Sequence, residues 1–255
     1  MPNNGLMHAQ RLIEKYAITQ PNEIPIEDII TNEGPYIIEK PIAGAEGRIV
    51  CYDDLAIITV NSSIKDNSKR RFVLAHELGH YVMHRKLQPF YKDTENDLWE
   101  WKSNKQYENE ANEFAAELLM PTEIFLKSSK RKKFSLEFVQ ELKELFDTSL
   151  TATAIRFAEK GNIPILLVCS QNNIVKWYAK NVDFPFSKIF VHEEVPVNTV
   201  AFEYFIKNIK YNEPEEIDPK NWQISDRYFG ELKYYEQCIY FEYFGYVLSF
   251  IWIDK

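Results

Sequence analysis

The chain of 255 residues has few cysteines and no long apolar run. Its three cysteines are an odd number without CxxC spacing, which argues against a disulfide framework and against a thiolate metal site. No stretch is apolar over the length that spans a bilayer, and the first residues lack the basic and apolar regions of a signal peptide. We therefore predict a cytoplasmic protein without a membrane partner.

An excess of positive charge is also absent. The net charge is -8 and the pI is near 5.3, so the chain has no long-range attraction for phosphate backbones or anionic lipid. Hydrophobic residues make up 45% of the chain and aromatic residues 15%, which is ample for a packed core. The composition predicts a globular protein whose partner is a protein or peptide, with nucleic acid disfavoured.

Hydrophobic periodicity predicts an α+β fold. Helices are expected at 6–17, 25–30, 69–84, 103–120, 135–146, 149–160 and 200–209, and strands at 36–40, 56–61, 163–170, 174–180 and in two runs within 238–253. Segment 86–105 has no clear period, and a connection of that length inside a domain is typical of a functional loop. The helices at 135–160 form a pair, and the chain after residue 161 is richer in strands.

The predicted helix 69–84 carries the strongest chemical signal. Its segment His76-Glu77-Leu78-Gly79-His80 has the HExxH pattern, in which two histidines four positions apart lie on one helix face and can bind one ion. Glu77, one position round the helix, is placed to act as a general base toward the attacking water. In an otherwise apolar helix, Glu77 would be a costly buried charge without such a role. The segment is therefore interpreted as a metal site.

A catalytic zinc ion needs a third protein ligand and one open coordination position. The metzincin pattern is excluded, because Met83 and Lys86 stand where it requires glycine and histidine. His84 lies two helical turns from His76 and cannot share an ion with it on a straight helix. We therefore look for a carboxylate on the second long helix.

Helix-face geometry favours Glu108 as this third ligand. It shares the small, apolar face of helix 103–120, whereas Glu110 falls with Glu113 and Glu117 on a face that we expect to be solvated. Glu110 stays the alternative ligand. Asn112, one turn after Glu108, is expected to hydrogen-bond a ligand imidazole or the Glu108 carboxylate.

Two further roles follow from the expected chemistry. The developing oxyanion needs a hydrogen-bond donor. The candidates for this donor are Tyr81, His84, Tyr107 and His192. A substrate is expected to add as a strand along the run 56–61. The substrate-binding residues expected there are Ile58, Val60 and Asn61.

Together these motifs resemble the ImmA/IrrE family of metallo-endopeptidases. The matching segments are 46–48, 60–62, 71–80 and 108–121, in which HExxH is followed by the pattern ExxAN.FA..LLMP. The resemblance implies a small gluzincin-like core in residues 1–128, with a short mixed sheet and two active-site helices. A helical pair at 129–160 and a β-rich α+β region at 161–255 would follow this core.

The same resemblance implies a function. It implies a cytoplasmic bacterial zinc endopeptidase, of a kind often found in mobile-element or stress-response systems, that cleaves a repressor-type transcription factor. It also implies that Glu108 is the zinc ligand, in agreement with the helix-face argument. The expected cofactor is therefore Zn²⁺, and the expected partner is a repressor protein.

A competing interpretation is a DNA- or protein-binding regulator in which the zinc site is structural. It rests on the basic run Lys130-Arg131-Lys132-Lys133 before a helix pair that is similar to a helix-turn-helix. The helices behind this run are acidic, which would repel phosphates. A structural zinc site also has no need of Glu77, so the presence of this residue favours an enzyme.

Overall fold

A computed structural model describes residues 4–52, 55–85, 105–130, 132–185, 189, 191–224 and 232–254. The chain forms two compact units, of which the first comprises Met1–Ser128 with Ser135–Thr153. The second unit comprises Ser129–Phe134 with Ala154–Lys255. Residues 129–160 are thus divided between the units, and the three-part division expected from the sequence stays a prediction.

The first unit combines helices with a mixed sheet. Its helices are α1 (Asn4–Lys15), α2 (Ile26–Glu33), α3 (Asn67–His84), α4 (Lys105–Leu119), α5 (Thr122–Ser129), α6 (Leu136–Phe146) and the start of α7 (Leu150–Lys160), with a 3₁₀ turn at Pro21–Glu23. Its strands are β1 (Tyr36–Lys40), β2 (Gly47–Tyr52) and β3 (Leu55–Asn61). The sheet order is β1-β3-β2, with β1 parallel and β2 antiparallel to β3.

The strand predicted as the substrate edge lies in the middle of this sheet. β3 pairs with β1 on one side and with β2 on the other, so its backbone groups are already used. Ile58 and Val60 are 0% and 1% exposed, and the Asn61 amide donates to the carbonyls of Ile42 and Ala45. The assignment of these three residues to substrate binding by strand addition is therefore wrong. The sequence patterns also missed β2, which is an edge strand among the described residues.

α3 is the buried helix that the sequence predicts. It begins after Asp66, whose carboxylate accepts a hydrogen bond from the Lys69 N–H at 2.7 Å and caps the first turn. The middle of α3 packs against β2, β3 and α4. Because it has neighbours on several sides, it lacks the single apolar stripe of a surface helix. These contacts fix the direction in which each functional side chain points.

α3 and α4 approach each other closely at Gly79. A Cβ atom at this position would lie 2.9 Å from Cδ1 of the fully buried Phe114. We expect Gly79→Ala to lower the free energy of unfolding by about 1–3 kcal/mol, since this core has no room for another methyl group. Chemical denaturation of the metal-free protein measures the effect. A free energy equal to or above that of the wild type would show that the close contact does not restrict residue 79.

The second unit contains a five-stranded antiparallel sheet in the order β5-β4-β8-β7-β6. Its strands are β4 (Ile165–Gln171), β5 (Ile174–Lys180), β6 (Glu215–Ile217), β7 (Lys233–Phe241) and β8 (Tyr246–Asp254), accompanied by helix α8 (Val200–Lys207) and 3₁₀ turns at Pro219–Trp222 and Glu242–Phe244. The predicted α+β class and the β-rich C-terminal region are confirmed. Among the described residues, no helix has the length and apolar character needed to cross a membrane.

A buried carboxylate organises the second unit. Glu236 on β7 accepts hydrogen bonds from the N–H groups of Val200 and Ala201 at 3.0 and 3.2 Å, and from Nε1 of Trp222 at 3.0 Å. Burial raises the pKa of Glu236, although these donors oppose the shift. Glu236 thus satisfies donors at the first turn of α8 and fixes the Trp222 ring, as buried polar groups require. Its role is explained by the fold.

Candidate metal centre

α3 directs two imidazole rings at one point. His76 and His80 are four residues apart, and their Nε2 atoms are separated by 3.0 Å. The His80 ring is almost completely buried, whereas His76 lies closer to the surface. Because residues one turn apart share a helix face, the HExxH spacing alone produces this convergence. The two nitrogens are therefore available to the same ion.

α4 completes the group with Glu108. Its carboxylate oxygens lie 3.3 Å from Nε2 of His76 and 3.4 Å from Nε2 of His80. Among the described residues these three side chains form a group that can hold a metal ion, with all ligand atoms within 4.8 Å of one another. The choice of Glu108 for this position rested on its helix face, and the structure brings it to the two histidines.

The spacing of these atoms provides a test of whether zinc fits. Zinc bonds to nitrogen and oxygen of about 2.0–2.1 Å in a tetrahedron place neighbouring ligand atoms about 3.3 Å apart. The two histidine nitrogens are 3.0 Å apart, one Glu108 oxygen lies 3.3 Å from Nε2 of His76, and the other lies 3.4 Å from Nε2 of His80, so the side chains are close enough to share one ion. Two imidazoles and one carboxylate are also a donor set that zinc commonly accepts. The residues therefore fit a zinc ion with one position left open.

The His76 ring is held from its other side. Its Nδ1 lies 2.9 Å from Oδ1 of Asn112 on α4. Since the amide oxygen can only accept, Nδ1 of His76 is the donor to Asn112, and Nε2 is the nitrogen that a metal ion could bind. Asn112 therefore contacts the imidazole of His76, one of the two expected histidine ligands.

Glu77 lies beside the ligand group but is not part of it. It is 4% exposed, and its carboxylate faces β2 at Gly47. A Cβ atom at Gly47 would come within 2.9 Å of Oε1 of Glu77 and within 2.4 Å of Cγ1 of Val73. Glycine at this position therefore leaves room for the carboxylate between the helix and the strand.

The protonation states of Glu108 and His80 suit metal binding. Burial lowers the pKa of His80 to about 4, with His76 adding to the shift. Burial alone would raise the pKa of Glu108, but hydrogen bonds from His76 and His80 outweigh it and hold the pKa well below 4.5. At neutral pH the carboxylate is therefore ionised and His80 is neutral, as metal ligation requires. Burial lowers the pKa of His76 as well, but Glu108 and Glu77 outweigh it and raise the net value.

The solvent-exposed positions expected for Glu110 and Glu117 on α4 were wrong. Glu110 and Glu117 were expected on a solvated helix face, yet Glu117 is buried and bonds the N–H and hydroxyl of Thr122. Glu110 does not join the ligand group, because its Oε2 lies 2.9 Å from Nε2 of His84. Sequence reasoning gave His84 no part in positioning the ligands, although its spacing of four from His80 signals a shared face.

The four candidates for the oxyanion donor are placed differently. Both ring nitrogens of His84 are engaged by protein groups, so it is not available as a donor. The Tyr107 ring packs on His84 with centroids 4.6 Å apart. The Tyr81 hydroxyl lies beside Gly34 at the end of α2. His192 belongs to the second unit, and the identity of the donor stays a prediction.

The fold and the site together define a class of protein. An HExxH helix completed by a carboxylate from a neighbouring helix is the arrangement used by peptidases of the HExxH type. Residues 31–158 match the Peptidase_M78 family, described as the IrrE N-terminal-like domain. The chain belongs to this family and so to the peptidases, which confirms the resemblance to the ImmA/IrrE family. The matched range contains both helices of the site.

Two similar proteins extend the comparison. The chain is 37% identical over 130 residues to "Uncharacterized immunity region protein 2" of Bacillus phage phi105, which covers 50% of this chain and 75% of the phage protein. The structure of the present chain is similar to that of a "Mycobacterium tuberculosis transcriptional regulator", with a TM-score of 0.63 and 13% identity. The match covers 99% of this chain and 77% of the regulator chain. At such low identity the second likeness shows the fold alone.

Proposed function

We propose that the chain is a zinc-dependent endopeptidase whose substrate is a repressor-type transcription factor. The observation that carries the proposal is the convergence of two histidine nitrogens and the Glu108 carboxylate within 4.8 Å of one another, with Glu77 outside this group. A structural zinc site would use four protein ligands. Among the described residues the group comprises three, as a catalytic site does.

The residues around the site divide the chemistry among them. When bound, zinc would polarise the scissile carbonyl and lower the pKa of the attacking water. Glu77 accepts the proton of this water and passes it to the leaving amine. Asn112 keeps the His76 ring in the orientation that ligation needs, since it fixes the proton on Nδ1. The Glu108 carboxylate supplies the third ligand and part of the neutralising charge.

The outer edge of β2 is the proposed place for the substrate backbone. β2 packs on α3 and passes Glu77 at Gly47. The Asn61 N–H donates to the carbonyl of Glu46 at 2.9 Å, so these two residues form a hydrogen-bonded pair of the antiparallel ladder. Every second residue of β2 from Glu46 onward is therefore hydrogen-bonded to β3, and the residues between them are not. The backbone groups of Ile49 and Cys51 therefore point away from β3. A substrate strand that pairs with them would run beside the helix of the proposed metal site.

The β2 edge can be tested with one backbone donor. We expect Cys51→Pro to lower kcat/KM by about 3- to 10-fold, because it removes an outward N–H without removing a bond to β3. The matched control is Cys51→Val, which keeps the N–H and is expected to cleave as the wild type does. Steady-state cleavage of the repressor measures both. Equal kcat/KM for the two variants would place the substrate elsewhere.

The likeness to a phage immunity region protein supports a regulatory protein as the substrate. A repressor would meet the enzyme in the cytoplasm, which is the location proposed here. The test is to incubate zinc-loaded protein with repressors encoded beside its gene and to identify the products by mass spectrometry. We expect cleavage at one or a few bonds, stopped by a chelator. If unrelated proteins are cleaved and every such repressor stays intact, the assignment as a peptidase holds and the assignment of a repressor as the substrate is wrong.

A further inference from the structure

A second set of polar residues continues inward from the metal centre. His84, 1% exposed, lies one helical turn after His80, and the two Nδ1 atoms are 3.1 Å apart. On its other side, Nε2 of His84 is 2.9 Å from Oε2 of Glu110. Glu110 in turn accepts hydrogen bonds from Gln106 at 3.1 Å and from Asn4 of α1 at 3.4 Å. His80, His84 and Glu110 thus form a continuous row of hydrogen-bonded groups.

Metal ligation would fix every proton in this row. If His80 binds the ion through Nε2, its single ring proton must sit on Nδ1. That proton is then donated to Nδ1 of His84, which must be an acceptor. The proton of His84 is consequently on Nε2, where it is donated to the Glu110 carboxylate.

We propose that His84 and Glu110 are positioning residues, which hold His80 in the tautomer and orientation needed to bind the metal. This inference rests on the zinc site of the proposed function and adds two residues to it. His76 is anchored by a neutral amide, whereas His80 is anchored through an imidazole by a carboxylate. A carboxylate behind a ligand histidine makes that ligand more basic and strengthens metal binding.

Packing alone gives no reason for a buried histidine and a carboxylate at these positions. Replacing buried charged or polar pairs by apolar residues of similar size is often neutral or even stabilising. The Tyr107 ring, which packs on His84, would pack equally on a phenylalanine. A role in metal binding therefore predicts a loss that a purely structural role does not.

The experiment measures zinc affinity by competition with a chelator in the full chain. His84→Phe keeps the ring and removes both nitrogens, and it is expected to weaken zinc binding about 10- to 100-fold. Glu110→Gln keeps an acceptor and removes the charge, and a loss of about 10-fold is expected. Glu113→Gln, an exposed carboxyl on the same helix, is the matched control and should bind zinc as the wild type does.

A spectroscopic measurement separates positioning from general damage. In zinc-loaded protein with ¹⁵N-labelled histidine, we expect the proton on Nδ1 of His80 and on Nε2 of His84. Chemical denaturation of the metal-free His84→Phe variant measures separately the stability that is lost when Glu110 is left without its histidine partner. If this variant fails to fold, Glu110→Gln decides the question. Wild-type affinity in Glu110→Gln, or the opposite tautomers, would overturn the inference, whereas a wild-type chain that binds no zinc would overturn the proposed function itself.

Discussion

Replacing Glu77 by glutamine is expected to lower kcat for repressor cleavage by about 10²- to 10⁴-fold while zinc still binds with wild-type affinity. The amide has nearly the shape of the carboxylate but cannot accept the proton of the attacking water. Because Glu77 lies outside the ligand group, its replacement leaves His76, His80 and Glu108 in place. Single-turnover cleavage and chelator competition on the same preparation measure the two quantities.

The matched control for this variant is Glu113→Gln, which makes the same chemical change on the exposed side of α4. It is expected to retain full activity. If Glu77→Gln cleaves the repressor at the wild-type rate with zinc bound, Glu77 is not the general base. If it loses zinc together with activity, Glu77 acts on the metal and not on the water.

Replacing Glu108 by alanine is expected to weaken zinc binding by about 10²- to 10³-fold. Four ligands in zinc-finger peptides together provide about 10–16 kcal/mol, so one ligand accounts for about 3–4 kcal/mol. The loss of activity at low zinc should follow the loss of the metal. Glu108 is half-buried between the two helices, so the variant removes a ligand without opening a large cavity. Chelator competition gives the dissociation constant.

Glu110→Ala is the informative comparison for Glu108→Ala. The two carboxyl groups are two residues apart on α4, but only Glu108 reaches the Nε2 atoms of both ligand histidines. The loss of zinc affinity in Glu110→Ala should be smaller, since this residue acts through His84. A larger loss of zinc affinity in Glu110→Ala than in Glu108→Ala would mean that Glu110, and not Glu108, is the third ligand.

The convergence of His76, His80 and Glu108 could be predicted from the sequence for local reasons. HExxH needs only the geometry of one helix to bring His76 and His80 together, and that geometry is independent of tertiary context. Glu108 required one further step, the choice of a helix face with small residues that permit close packing. Both inferences depend on residues that recur every three or four positions along one helix, for which periodicity is informative.

The errors concern partners that lie far apart in the sequence. Glu110 was expected in solvent because three acidic residues share its face, but α1 and His84 cover it. Ile58 and Val60 were placed at a substrate edge because the adjoining strand β2 was not foreseen. Strand order depends on pairing between distant segments, and no local pattern specifies it. The strand proposed to bind the substrate is therefore β2, which the structure places at the sheet edge, and not the central strand β3.

The proposed zinc site can be located directly by anomalous diffraction from crystals of the zinc-loaded chain, recorded on both sides of the zinc absorption edge. We expect one peak per chain, about 2.0–2.2 Å from Nε2 of His76, from Nε2 of His80 and from a carboxylate oxygen of Glu108. Glu77 should lie outside this bonding distance. A peak bonded to Glu77 or Glu110 in place of Glu108, or no peak after zinc loading, would contradict the three-ligand site on which the proposed peptidase depends.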